Sequence, residues 1–234
     1  MPTLRIAEIF TSIQGEGIWA GTPSTFIRVS GCNLRCIWCD TPYASWAPEG
    51  PVIEVGQIVD VVAKARVNHV VITGGEPMLF DAVADLAREL RVDGYTITIE
   101  TAGTVHRMVE CDLMSISPKL SNSTPGESAG AGWPERHEKT RGDLEPLKRL
   151  IAEYAYQLKF VVNPEADLRG QLEEIESVVA EAKAEPGKVL LMAEGTDSET
   201  LHRRERMLVE TCIERGYRLT PRLHVDLFGN TRGT

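Results

Sequence analysis

What this 234-residue chain lacks narrows it quickly. No stretch approaches the run of about 20 apolar residues that a membrane helix requires. Lys and Arg number 25 against 34 Asp and Glu, a formal charge of −9. A nucleic acid is therefore not expected as the main partner, because that binding rests on cations set against phosphates. The opening MPTLRIAEIF has no basic region followed by an apolar stretch and a small-residue cleavage site, so a cytoplasmic protein is expected. Cysteine is scarce as well, at five residues, and no second CxxC and no HxxxH appears that would complete a structural zinc site.

What is there is concentrated. Three of the five cysteines, Cys32, Cys36 and Cys39, fall in CNLRCIWC at C-x3-C-x2-C spacing, with Trp38 just before the last. Cubane iron–sulfur clusters ordinarily take four cysteine ligands, and structural zinc takes four N or S donors. Three thiolates leave one metal corner open to a small chelating molecule. Without export, clustered cysteines more often hold metal than form bridges. Cys111 and Cys212 sit among apolar residues and read as core. A zinc site completed by a distant His or Asp stays open at this point.

The rest of the chain alternates strand-like with helix-like segments. Leu4–Phe10, Thr25–Ser30, His69–Thr73, Tyr95–Glu100, Leu113–Ser117, Leu158–Val162 and Lys188–Met192 read as strands. Leu79, Val83, Leu86, Ala87 and Leu90 share one helical face, and so do Leu172, Ile175, Val178, Val179 and Ala182. This alternation predicts an α/β domain over residues 1–234: a parallel sheet of βαβ units with helices outside and the site at the carboxyl ends of the strands. Residues 120–142, rich in Gly, Ser, Pro and charge, read as a surface loop or lid. His137 within them is taken as solvated and without a role.

Four further motifs follow predicted strands. Thr73-Gly74-Gly75-Glu76-Pro77 offers backbone to a close ligand, though it equally suits a plain helix start. Glu100-Thr101 places a carboxylate at a strand end, and Ser117-Pro118-Lys119 a cation. Thr11-Ser12-Ile13-Gln14-Gly15-Glu16-Gly17 combines an amide with a carboxylate, a pairing suited to an aminopyrimidinone edge. Each alone could be turn chemistry.

Taken in order, QGEG, R-x3-C-x3-C-x2-C-D-T, TGGEP, ET, SPK and L-K-x-V-V resemble the 7-carboxy-7-deazaguanine synthase family of radical S-adenosylmethionine enzymes. The resemblance runs from Glu8 to about Gly229 and is weakest over 120–142. It implies a modified, incomplete (β/α) barrel, a homodimer, and a lyase that converts 6-carboxy-5,6,7,8-tetrahydropterin to 7-carboxy-7-deazaguanine with loss of ammonia, in queuosine and other 7-deazapurine biosynthesis. It implies a 4Fe–4S cluster on Cys32, Cys36 and Cys39, and an electron donor such as flavodoxin or ferredoxin. S-adenosylmethionine would be held by Gly75, Glu100 (at the ribose), Ser117, Pro118, Lys119, Met192, Ala193 and Glu194. Magnesium would bind Thr41, with Asp40 beside it. Ile13, Gln14, Gly15, Glu16, Arg28, Thr73 and His224 would surround the pterin. The tail VDLFGNTRGT departs from relatives that stop soon after the matching histidine. A glycyl-radical activating enzyme and a non-catalytic zinc module are the rival readings.

Overall fold

The computed structural model describes residues 1–234. One nine-stranded sheet organises them, in the order β3-β1-β2-β4-β5-β6-β7-β8-β9. The strands are β1 (Thr3–Ile13), β2 (Pro23–Val29), β3 (Val52–Glu54), β4 (His69–Gly74), β5 (Thr96–Thr101), β6 (Leu113–Ile116), β7 (Tyr156–Val162), β8 (Val189–Ala193) and β9 (Arg218–Thr220). From β2 to β9 every neighbour is parallel. β3 and β9 lie at opposite ends of the order and do not pair, so the barrel stays incomplete.

Helices link the parallel strands and cover the outer face: α1 (Val55–Lys64), α2 (Ala82–Val92), α3 (Trp133–Gly142), α4 (Glu145–Glu153), α5 (Leu168–Ala182), α6 (Ser198–Arg215) and α7 (Leu223–Phe228). The local chemistry explains their ends. Glu54 and Gln57 form a capping box at the start of α1, and Asp197 accepts the Thr200 N–H at the start of α6. Gly216 takes the left-handed conformation that stops α6. β4 and β7 are buried almost end to end, as strands covered on both faces must be. Their apolar side chains join those of α2 and α5 in one core cluster.

Two expectations need correction. The sheet is not parallel throughout, because β1 runs antiparallel to both β2 and β3. The segment 120–142 is not an irregular loop, since it contains α3 and two short 3-10 turns, Ser121–Ser123 and Glu127–Ala129. Its composition hid the helix: α3 carries no apolar stripe, and its one buried residue is His137.

Candidate active site

The carboxyl ends of the parallel strands form the rim of a cavity of about 1220 Å³, counting its open mouth. Cys32, Cys36 and Cys39, in the loop after β2, line one wall as free thiols. Burial pushes the Cys32 thiol up to about 12 and the Cys36 thiol to about 11. Such desolvated thiols ionise when a metal's charge arrives. Three cysteines in one loop at one wall of the cavity are the donor type an iron–sulfur cluster takes. The donor set fits a cluster. Beside it, Cys39 Sγ lies 3.1 Å from Ser45 Oγ and 3.8 Å from Thr41 Oγ1.

The GGEP turn packs against the base of this loop. The Gly75 N–H donates to Val29 O at 3.0 Å and the Glu76 N–H to Gly31 O at 2.8 Å. A Cβ on Gly75 would overlap the carbonyls of Gly31 and Ala44, which is why the position is glycine. Glu76 does start a helix, capping the short 3-10 turn Pro77–Leu79, but it is also part of the buried interior. It is fully buried and accepts from Met78 N–H (3.0 Å), Thr101 Oγ1 (2.7 Å) and Ala102 N–H (2.7 Å). Burial raises its pKa against the pull of those donors. On the next strand end, Lys119 Nζ donates to Ser117 Oγ at 2.7 Å and stands 5.5 Å above the Trp38 ring. Of the residues expected at S-adenosylmethionine, Gly75, Glu100, Ser117, Lys119 and Met192 line the cavity, while Pro118, Ala193 and Glu194 do not. Ala193 is fully buried in the core, and Glu194 faces Arg204.

The floor is built differently. Because β1 is antiparallel, its end at Ile13 pairs with Pro23, the first residue of β2. The QGEG segment therefore starts from the amino ends of the parallel strands and crosses the barrel interior toward β7 and β9. There Gly17 N–H donates to Thr220 Oγ1 and Ile18 N–H to Gln157 Oε1. Gln14 is buried; its Nε2 donates to Glu100 Oε1 at 3.2 Å, and Thr73 Oγ1 donates to Glu100 Oε2 at 2.9 Å. Glu100 thus keeps company with two residues expected at the pterin. A Cβ on Gly15 would overlap the His224 ring, so these two positions are in contact.

Charges on this floor form an alternating chain. Lys159, on the inner face of β7, is paired with Glu16, whose other oxygen accepts from Arg222 Nε at 3.1 Å. Arg222 also donates to Gly195 O (2.6 Å) and to Asp40 Oδ2 (2.5 Å). Burial alone would raise the Glu16 carboxyl, but Lys159, Arg222 and His224 together hold it well below the carboxylate range. Asp40 is thus engaged by Arg222. Nearby, Arg28 Nε donates to Glu8 Oε1 at 2.6 Å, and the Tyr43 hydroxyl to the same oxygen at 2.8 Å. Phe10 and Phe26 stack at 4.9 Å along this wall. Arg232 pairs with Glu8 and Glu49, folding the tail back so that Thr234 lines the cavity.

Sequence reasoning missed Lys159 and Arg222, although Lys159 lies inside the quoted L-K-x-V-V run. It also misjudged His137, which is fully buried. Its Nδ1 accepts the Arg35 N–H at 3.2 Å, and its Nε2 faces Ser123 Oγ at 2.9 Å. Burial pushes its pKa down to about 4.

Comparison with known proteins places this geometry. Residues 26–129, which span the cysteine loop and the GGEP turn, match the radical SAM superfamily model. A 7-carboxy-7-deazaguanine synthase from Rhodopirellula baltica is 44% identical over 99% of this chain and 89% of its own length. One from Halobacterium salinarum is 43% identical over 100% of this chain and 93% of its own. The chain belongs to the 7-carboxy-7-deazaguanine synthase family. It is a radical SAM enzyme, a class that works with a 4Fe–4S cluster and S-adenosylmethionine. The fold agrees: the crystal structure of QueE from Escherichia coli superposes with TM-score 0.65 at 24% identity, covering 93% of each chain. A structure of TYW1 with a lysine-pyruvate adduct bound superposes at 0.57 with 15% identity, over 82% of this chain and 73% of that one. No helix is long and apolar enough to cross a membrane.

Proposed function

We propose that residues 1–234 act as one catalytic domain that converts 6-carboxy-5,6,7,8-tetrahydropterin to 7-carboxy-7-deazaguanine with loss of ammonia, in 7-deazapurine biosynthesis. The observation that carries this reading is the shared cavity. Free thiols stand at its rim, and an ionised carboxylate beside an amide stands on its floor. Cys32, Cys36 and Cys39 would hold the cluster. The Gly75 N–H is committed to Val29 O, which leaves its carbonyl for the methionine amine of S-adenosylmethionine. Ser117, Lys119 and Met192 complete that subsite. When bound, these groups supply the radical that takes a hydrogen from the substrate.

The chain's own residues place that hydrogen and exclude water. Glu16, kept ionised by Lys159 and Arg222, only accepts hydrogen bonds and so suits the N–H groups of the aminopyrimidinone. Gln14 supplies both a donor and an acceptor. Glu100, tied to Gln14 and Thr73, serves the same edge better than a cofactor ribose. Arg28, with one edge held by Glu8, keeps the rest of its guanidinium for the substrate's anionic side. Thr41 offers its hydroxyl to magnesium, a hard cation that takes few protein oxygens and keeps several waters. Asp40 stays with Arg222 in this scheme.

A one-electron donor such as flavodoxin or ferredoxin would reduce the cluster from outside. Arg35 and Arg136, both without a carboxylate partner, flank the Trp133 ring at 4.1 and 4.7 Å beside the cysteine loop. Their charge suits an acidic carrier. For the homodimer, family resemblance is the support; for a cytoplasmic setting, it is the thiols that a reducing compartment preserves.

Anaerobic incubation with dithionite, S-adenosylmethionine and the carboxytetrahydropterin tests the reading, with product identified by mass and ammonia assayed. Formation of 7-carboxy-7-deazaguanine is expected. S-adenosylmethionine cleavage that ignores the pterin and yields no deazapurine would defeat it.

A further inference from the structure

We propose that residues 120–142 buttress the cysteine loop, and that His137 is the positioning residue that fixes where the loop's thiols stand. This rests on reading Cys32, Cys36 and Cys39 as cluster ligands and goes beyond it. The loop that lines the cavity with these three cysteines is neither helix nor strand, so its backbone N–H groups must find partners elsewhere. The Leu34 N–H turns back on Cys32 Sγ at 3.4 Å; for Arg35 and Ile37 one outside segment supplies them. The Arg35 N–H donates to His137 Nδ1 at 3.2 Å and the Ile37 N–H to Ser123 O at 2.9 Å. Trp38 Nε1 donates to Asn122 O at 3.1 Å, and the Arg35 guanidinium stacks on Trp133.

The hydrogen-bond directions fix the tautomer. Ser123 Oγ donates its proton to Leu120 O at 2.6 Å, so at 2.9 Å from His137 Nε2 it can only accept. Nε2 therefore carries the proton and Nδ1 is free to accept from Arg35. A carboxamide could satisfy one side or the other but not both. His137 and Ser123 are both fully buried, and neither lines the cavity. The imidazole thus has no reach to a ligand; it acts through the loop. The buttress is itself anchored to α5, where Asn122 Nδ2 donates to Gln171 Oε1 and Arg141 pairs with Glu174.

The test uses the cluster-free full chain and follows alkylation of each cysteine by iodoacetamide, resolved by mass. Cys212, on the buried face of α6, reports global opening. His137→Gln, which loses the acceptor at the Nδ1 position, should expose Cys36 about tenfold faster, the factor one lost hydrogen bond is worth in a local opening. His137→Asn keeps an acceptor there and should stay near the wild-type rate. Ser123→Ala frees the ring's other edge; because the Ser123 hydroxyl also touches the Cys36 thiol, this variant is read at Cys32 and Cys39, which should react several-fold faster, with Cys212 unchanged in all three. Equal Cys36 rates for the Gln and Asn variants, or acceleration of Cys36 and Cys212 together, would overturn the proposal. If His137→Gln does not fold, the Ser123→Ala rates at Cys32 and Cys39, set against Cys212, decide. Because these rates need no metal, a wild-type protein that fails to bind iron would count against the cluster assignment alone.

Discussion

Lys159→Met cuts the charge chain at its most buried link. The Met side chain can follow the path of the lysine stem, so the variant removes a charge and little packing. Lys159 and Glu16 side chains are 7% and 14% exposed, too buried for solvent to screen the loss away. Removing one partner of a buried pair costs about 3–5 kcal/mol. Arg222 remains on the other Glu16 oxygen, which points to the lower end, about 3 kcal/mol. For a chain of this size that is a fall of about 6–12 °C in Tm. The pH dependence has a definite sign. The folded pKa of Glu16 is depressed, so its contribution is present above the unfolded value of about 4.3 and is lost as pH falls through the folded one. In the variant, burial acts against a weaker opposing charge, and folded Glu16 takes up a proton nearer neutrality. The stability gap should therefore narrow as pH falls from 7 toward about 4. Urea unfolding of the cluster-free protein, followed by circular dichroism at several pH values, reads both effects. A Glu16→Gln change added to Lys159→Met should recover part of the loss. A Lys159→Met protein within about 1 kcal/mol of wild type at pH 7, or a gap that widens in acid, would refute the reasoning.

Three further outcomes are expected. Cys32→Ala, Cys36→Ala and Cys39→Ala should each lose the cluster and all turnover, whereas Cys111→Ala and Cys212→Ala keep full iron by chemical assay. Gln14→Ala and Arg28→Ala should keep the iron and the slow uncoupled cleavage of S-adenosylmethionine, yet lose pterin turnover by a factor corresponding to about 2–5 kcal/mol. Wild-type efficiency in both would mean that the pterin lies elsewhere. Thr41→Ala should raise the magnesium concentration needed for half-maximal turnover, while Asp40→Asn should not. A larger shift in Asp40→Asn would make Asp40 the ligand.

The runs HVVIT and LKFVV could be read as strands because both faces of β4 and β7 are covered, and composition alone records that. The helical faces of α2 and α5 were legible for the matching reason. β3 and β9 span three residues each, too few for alternation to register. The direction of β1 was invisible because a period of two is the same read either way, and with it went the true approach of the QGEG segment. Lys159 and Arg222 escaped because nothing near them in sequence explains a buried cation. Their common partner, Glu16, lies 143 and 206 positions away. His137 misled through its neighbours: Glu135, Arg136 and Lys139 around it are exposed, while the ring itself is buried.

The reversed first strand has a consequence for how such an enzyme can diversify. In the proposed scheme, radical generation is set by turns at one end of the barrel, and ligand choice by a short stretch of chain arriving from the other. Sequence drift between β1 and β2 can therefore reshape what is recognised without disturbing the turns that bind cluster and cofactor. The two kinds of heredity, reagent and target, are written in separate passages of the gene.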